Sequence, residues 1–285
     1  MSAAAPAISV KGLRKSYGEH EAVGGIDFEV GRGEVFGLLG PNGAGKTTTV
    51  EILEGYRART AGEVQVLGFD PELREIALRK RVGIVLQSSG MYRFLSPREA
   101  IGHWASFYPS PRDVEEVIAL TGLEEKADAR IRTLSGGQMR RLDLALALVG
   151  DPELIFLDEP TTGFDPAARR GAWNAIESLK ALGKTVVLTT HYLDEAQALC
   201  DRVAIVQAGL ILAEGPPSQL GAAATRYLVG WTDSSGSTQR REVEDPTALL
   251  HELTGAAIAA GEPVRDLSVT RPTLEDVYLE LTDNG

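Results

Sequence analysis

The sequence predicts an α/β protein built on a mainly parallel sheet, with a helical subdomain inserted into it and a small α+β appendage behind it. Three observations carry this. Four short apolar runs, Val35–Leu39, Val82–Leu86, Leu154–Leu157 and Thr185–Leu188, recur between Gly or polar residues. Such runs fit strands buried on both faces, as a parallel sheet covered by helices requires. The runs vanish between about residues 91 and 150, where helix starts replace them. Pro216-Pro217 then breaks the pattern, and the chain beyond it changes character. The expected domains are 1–217, with the helical subdomain at about 91–150, and 218–285.

Each element has a local reason. Ser96-Pro97-Arg98-Glu99 reads as a capping box, with Ser at the N-cap, Pro first in the helix and Glu third. Ser110-Pro111-Arg112-Asp113 repeats the Ser-Pro start with Asp in place of Glu. Beyond residue 217, Tyr227–Val229 and Arg240–Val243 read as a hairpin around Ser234-Ser235-Gly236. A helix near 247–260, a strand near 264–270 and a helix from about 273 follow. There is no internal repeat and no low-complexity tract.

Composition narrows the function. The chain has 285 residues, 43% hydrophobic and 24% charged, which suits a sizeable globular core. Its net charge is −11, from 40 acids against 29 Lys and Arg, and so acidic a surface repels a phosphate backbone. Nucleic acid is not expected as a partner. The single cysteine, Cys200, suits a reducing compartment and a buried apolar site. No run approaches the roughly 18 apolar residues that span a bilayer. The start, MSAAAPAISVKGLRKSYG, has no apolar signal core. The expectation is a soluble chain that serves a membrane only by docking.

The chemistry begins with Gly40-Pro41-Asn42-Gly43-Ala44-Gly45-Lys46-Thr47, which fits G-x-x-x-x-G-K-[ST] between a strand and a helical pattern opened by Thr48. Glycines let backbone N–H groups turn inward around phosphate oxygens, and the helix N-terminus adds positive potential. Lys46 would reach the outer phosphates and the Thr47 hydroxyl would ligate Mg²⁺. The second motif is the apolar strand Leu154–Leu157 ending in Asp158-Glu159. Alone, such an ending is usually a solvated strand end. Behind a phosphate loop, Asp158 is a metal ligand and Glu159 the group that orients or deprotonates water.

Leu134-Ser135-Gly136-Gly137-Gln138 lies twenty residues ahead of the strand leading to Asp158, just before the helical pattern Met139–Leu148. This pentapeptide, in this order with the phosphate loop, resembles the signature of ABC ATPases. The resemblance spans about residues 7–217 and makes the fold a P-loop NTPase of the ABC type. It implies that ATP is sandwiched between two copies, each giving Ser135, Gly136, Gly137 and Gln138 to the other's nucleotide. It further implies that Gln87 senses Mg²⁺ and the membrane partner, and that His191 contacts the γ-phosphate. Asp165, in Gly163-Phe164-Asp165-Pro166, belongs to a loop that communicates across the dimer, where Phe164 stands in place of the family's usual Leu. By the same resemblance, Tyr17 matches the aromatic that stacks on adenine.

The implied set is therefore Glu159, His191 and Gln87 for catalysis, and Thr47, Gln87 and Asp158 for the metal, with ATP and Mg²⁺ as ligands. The implied partners are a second ATPase subunit and a separate transmembrane permease, at the cytoplasmic face of the membrane. Met91 to Phe94 are the residues expected to meet that permease, with Trp104, Phe107 and other aromatics of the stretch expected in the subdomain core. The tail Arg265–Leu279 resembles that of drug-export ATPases of the daunorubicin-resistance kind. That favours export of a drug-like or hydrophobic compound. The alternative is an ATPase serving an importer or a polysaccharide, lipid or haem exporter, and the remote alternative is a non-transport ABC ATPase.

Overall fold

The structure, a computed structural model, describes residues 5–85, 93–222, 227–233, 235–271 and 273–283. Leu86, Gln87, Met91, Tyr92 and Ser234, which carry expectations above, lie outside the described residues. Two compact units divide the chain, Met1–Glu214 and Gly215–Gly285, with the division just before the Pro216-Pro217 pair.

In chain order, the strands of the first unit are β1 (Ile8–Tyr17), β2 (His20–Val30), β3 (Val35–Leu39), β4 (Ala61–Val66), β5 (Val82–Val85), β6 (Leu154–Asp158), β7 (Thr185–Thr190), β8 (Arg202–Gln207) and β9 (Leu210–Gly215). Its helices are α1 (Lys46–Leu53), α2 (Ile76–Arg79), α3 (Pro97–Ala105), α4 (Val114–Leu120), α5 (Gly136–Leu148), α6 (Pro166–Ala181) and α7 (Leu193–Leu199).

The larger sheet has the order β5-β6-β7-β3-β8-β9. Pairing is parallel from β5 through β6, β7 and β3 to β8. Every residue of β3 and β7 is buried, and so are the first four of β6. That two-sided burial is why these strands read as continuous apolar runs instead of alternating ones. The register pairs Leu39 with Thr190 and Asp158 with Thr189, so the carboxyl ends of β3, β6 and β7 come level. Ligands bind at such ends in open α/β sheets.

A three-stranded antiparallel sheet of order β2-β1-β4 was not anticipated from the sequence. Register shifts between Val10 and Leu13, Leu13 and Arg14, and Lys15 and Ser16 scramble the period-two pattern that would have revealed it. Phe28 of β2 stacks on Phe36 of β3 at 5.4 Å between ring centroids, and the two sheets share one apolar core.

Helices α3, α4 and α5 enclose a second core around Ile101, Val117, Ile118, Ile131 and Leu142. The box at Ser96 forms as expected: Glu99 N donates to Ser96 Oγ at 3.2 Å and Ser96 N to Glu99 Oε2 at 2.7 Å. The second start differs. Helix α4 is capped by Asp113, whose Oδ1 accepts from the N–H groups of Glu115 and Glu116, and not by Ser110. A carboxylate there satisfies two orphan donors and complements the helix dipole. The aromatics also differ. Phe94 is 74% exposed, but so are Trp104 at 39% and Phe107 at 63%, which the sequence reading put in the core. The buried face of α3 is Pro97, Ala100, Ile101 and Ala105, with Trp104 at its margin and Phe107 past the helix end.

The second unit contains α8 (Pro217–Ala222), β10 (Tyr227–Thr232), β11 (Thr238–Val243), α9 (Thr247–Ala260), β12 (Arg265–Thr270) and α10 (Leu274–Asp283). Its sheet has the order β11-β10-β12, antiparallel throughout. Asp233 organises the hairpin turn by accepting from the Ser235 hydroxyl and the Ser235 and Ser237 N–H groups. The Ser235 hydroxyl foremost holds the Asp233 carboxyl down to about 2. Among the described residues of this unit, Val229, Leu249 and Leu274 are buried hydrophobic ones.

Replacing Ser96 by Ala removes one half of the α3 box and is expected to lower stability by about 1 kcal/mol. Urea unfolding followed by far-UV circular dichroism measures the loss.

Candidate active site

The loop leaving β3 is shaped by close backbone approaches. A Cβ on Gly40 would lie 2.1 Å from the carbonyl oxygen of Val206, and one on Gly45 would lie 2.3 Å from that of Ala22. Gly45 also caps α1 at φ 100°, a left-handed conformation open to glycine. Lys46 is 4% exposed, and its Nζ donates to the carbonyls of Gly40 at 2.7 Å and Pro41 at 2.9 Å. Burial lowers the Lys46 pKa, with Glu159 and then Asp158 opposing the shift. The cation is thus held at the mouth of its own loop.

Asp158 faces this loop from the end of β6. The Thr47 hydroxyl lies 3.3 and 3.4 Å from its two carboxylate oxygens, and Thr189 Oγ1 donates to Oδ1 at 2.5 Å. Glu159 follows at φ 45°, a left-handed conformation that costs roughly 1–2 kcal/mol for a residue with a side chain. Its N–H donates to Thr189 Oγ1 at 3.0 Å. Its carboxylate accepts from Thr162 Oγ1 at 3.1 Å and lies 3.3 Å from His191 Nδ1. Glu159 also joins Tyr17, Asn42, Gly43, Gly45, Lys46, Thr47 and Thr48 in the wall of a cleft of about 420 Å³. Tyr17 is 40% exposed there, with Lys15 Nζ 5.1 Å and Arg57 Cζ 5.2 Å from its ring centre.

Gly40, Pro41 and Ala44 build the turn instead of lining the cleft: Ala44 N donates to the Pro41 carbonyl at 3.3 Å. The Ser135–Gln138 turn and Asp165 do not line it either. Ser135 and Gln138 form a reciprocal capping box at the start of α5. Gln138 therefore holds Ser135, a role the sequence reading missed. Asp165 caps α6 by accepting from the N–H groups of Ala167 and Ala168, both at 2.9 Å.

The donor set suits a hard divalent cation. Among the described residues no group of three or more His, Cys, Asp or Glu could hold a metal. One carboxylate and one hydroxyl beside a phosphate loop is the arrangement by which Mg²⁺ is held jointly with substrate phosphates.

Several residues that hold the candidate site together gave no sequence signal. Thr189 looks like an ordinary strand residue. Arg140 looks like a surface cation of a helix, yet its side chain is 11% exposed and donates to the carbonyls of Asp158 and Pro160. Glu195 of α7 is fully buried and accepts from Thr161 Oγ1 at 2.7 Å and Trp173 Nε1 at 3.2 Å. It joins the turn after Glu159 to α6 and α7, and burial raises its pKa.

A glycine-lined loop between strand and helix, a lysine at its mouth and an acidic strand end beside it define a P-loop NTPase. The sequence matches the ABC transporter family over residues 23–162. It is 40% identical to the Nod factor export ATP-binding protein I of Rhizobium meliloti (strain 1021), over 97% of this chain and 88% of that protein. It is 38% identical to the daunorubicin resistance ATP-binding protein DrrA3 of Streptomyces coeruleorubidus, over 97% and 96%. The ADP conformation of MJ1267, an ATP-binding cassette of an ABC transporter, superposes with a TM-score of 0.65 at 25% identity, covering 74% of this chain and 91% of that one. A dimeric post-hydrolysis state of the cassette MJ0796 bound to ADP and Pi gives 0.64 at 25%, covering 73% and 98%. The chain belongs to the ATP-binding subunits of ABC transporters.

One carboxyl near the site gives a pH test. Burial, followed by the like charges of Asp158 and Glu51, pushes Glu54 up to about 8. The folded chain therefore keeps a proton that the unfolded chain releases from about 4.5 upward. Its stabilising contribution is complete below the unfolded value and is lost as pH rises towards 8. Glu54→Gln is expected to melt above the wild type at pH 8.5, with the gap narrowing by pH 5. Calorimetry at the two pH values checks this.

Proposed function

We propose that the chain hydrolyses ATP to power export of a drug-like or hydrophobic compound through a separate transmembrane permease, from the cytoplasmic face of the membrane. The observation that carries the reading is the pair of adjacent carboxylates at the end of β6. One faces the Thr47 hydroxyl, and the other stands in the cleft wall beside His191. Asp158 and Thr47, with Gln87, would hold Mg²⁺, which offsets phosphate charge when bound. Lys46 exchanges the Gly40 and Pro41 carbonyls for the outer phosphates, and Tyr17 stacks on the base. Glu159 orients or deprotonates the attacking water, and His191 contacts the γ-phosphate.

Ser135, Gly136, Gly137, Gln138 and Asp165 stand away from the cleft of their own chain. That supports the reading in which each copy gives this turn to a nucleotide held by a second copy. A relative solved as a dimer with ADP and Pi supports the same arrangement. Among the described residues no helix is long and apolar enough to cross a membrane, which supports a transport path in another chain. The names of the relatives, a Nod factor export protein and a daunorubicin resistance protein, support export over import.

Glu159→Gln is expected to keep ATP binding and to cut turnover by about 10²–10⁴-fold, the range for a lost general base. Wild-type activity per molecule is expected to rise with protein concentration as copies pair. Mg²⁺-dependent hydrolysis across a dilution series, with and without the permease, checks both. Lost nucleotide binding in the variant, or activity independent of concentration, contradicts the assignment.

A further inference from the structure

Glu159 occupies a left-handed conformation that is uncommon for a residue with a side chain, although Leu67, Arg74, Asp151, Ala208 and Asp266 also have positive φ. The surroundings here are specific. The peptide joining Asp158 to Glu159 is held at both ends: its N–H donates to Thr189 Oγ1 at 3.0 Å, and its carbonyl accepts from Arg140 Nη2 at 3.0 Å. On the far side of Glu159, the Pro160 carbonyl accepts from Arg140 Nε at 3.3 Å. One guanidinium therefore brackets Glu159 from both sides. Its planar fork of donors suits that geometry in a way an ammonium does not.

Packing alone does not ask for a cation at this place. Val85, Leu144, Leu157, Ala175 and Ile176 line the small cavity beside Arg140. Burial there pushes its pKa down, and Asp143, 3.9 Å away on the same helix, is the first charge to oppose the shift. A buried charge in such surroundings is costly, and an apolar side chain of similar volume often serves stability as well or better. Nε and Nη2 of Arg140 are directed at the two carbonyls that flank Glu159, while Nη1 faces Asp143. Arg140 also lies on α5, whose first turn is the capped Ser135–Gln138 segment.

We propose that Arg140 is the positioning residue for Glu159, acting through the carbonyls of Asp158 and Pro160, and that it links this carboxylate to the Ser135–Gln138 turn of the same chain. The inference rests on the reading of Glu159 as the water-activating group. In a two-copy sandwich the Ser135 turn serves one nucleotide and Glu159 the other. Arg140 is then the bonded path between the two sites within each subunit.

The test is ATP hydrolysis by the full chain with its permease, under steady-state and single-turnover conditions. The proteins are the wild type, Arg140→Gln, Arg140→Lys, Glu159→Gln and the Arg140→Gln/Glu159→Gln double variant. Arg140→Gln is expected to lower kcat by about 10- to 100-fold, the scale of a misplaced catalytic group. KM for ATP should stay within about two-fold, because the nucleotide contacts are untouched. Arg140→Lys should fall between, since it keeps the cation and loses the fork. In the Glu159→Gln background the Arg140 substitution should cost nothing further, because residues that act through one another are not additive. A general structural role would instead give equal losses in both backgrounds.

Equal losses, unchanged kcat in both Arg140 variants, or an effect confined to KM overturns the proposal. If Arg140→Gln shows no cooperative melting transition, Arg140→Lys decides by the same criteria. If Glu159→Gln is as active as the wild type, the reading of Glu159 fails and this inference falls with it. If Glu159→Gln is inactive while the Arg140 variants are normal, only this inference fails.

Discussion

The site depends on the register between β6 and β7, which sets Asp158 beside Thr189. That pairing gives one hydroxyl two partners. Thr189 donates to the Asp158 carboxylate and accepts from the Glu159 N–H, so one side chain fixes adjacent residues. Because side chains alternate across a strand, a one-residue slip would turn Thr189 to the other face and release both. The slip is opposed by complete burial of β7 and of the first four residues of β6, because shifting either strand would disturb close packing on both faces. Core packing thereby holds the geometry of the candidate site, to which it contributes no polar atom.

Once the strand ends are level, the remaining strain is local. Glu159 takes a left-handed turn directly after a buried strand, and its neighbours are bonded to β7 through Thr189 and to α5 through Arg140. Glu195 adds a buried node, bonding Thr161 and Trp173 from α7. The turn after β6 is thus fastened to β7, α5 and α7, and through Glu195 to Trp173 of α6. Backbone strain persists at functional sites where the surroundings over-determine it. The phosphate loop is held differently, with Lys46 on its own carbonyls, an arrangement that phosphate oxygens can replace.

The second unit has a three-stranded sheet, and every residue of β12 is exposed. The two relatives named above align over 97% of this chain, whereas the two solved cassettes named above cover 73–74% of it. The likeness to export subunits therefore takes in the second unit as well as the ATPase.

Sequence by itself determined β3, β5, β6 and β7, though not the parallel strand β8, since burial on both faces leaves an apolar run that needs no neighbour to be recognised. It determined the phosphate loop, because its glycines, lysine and threonine stand at fixed spacing in one short run, although the backbone that Gly40 and Gly45 meet, at Val206 and Ala22, is distant in the chain. It determined the Ser96 box and the Thr247–Ala260 helix, where capping groups or helical pattern lie close together in the chain. Tertiary structure decided what distant residues do. The bulged β1 sheet lost its alternation to register shifts. Asp113 displaced Ser110 as a cap because its carboxylate meets two N–H groups at once. Trp104 and Phe107 stay exposed because the face that α3 buries is Pro97, Ala100, Ile101 and Ala105. Thr189 and Arg140 acquired their roles from strand pairing and helix packing across tens of residues. Such roles leave no local signal, because a threonine in a strand and an arginine in a helix are what propensity alone would place there.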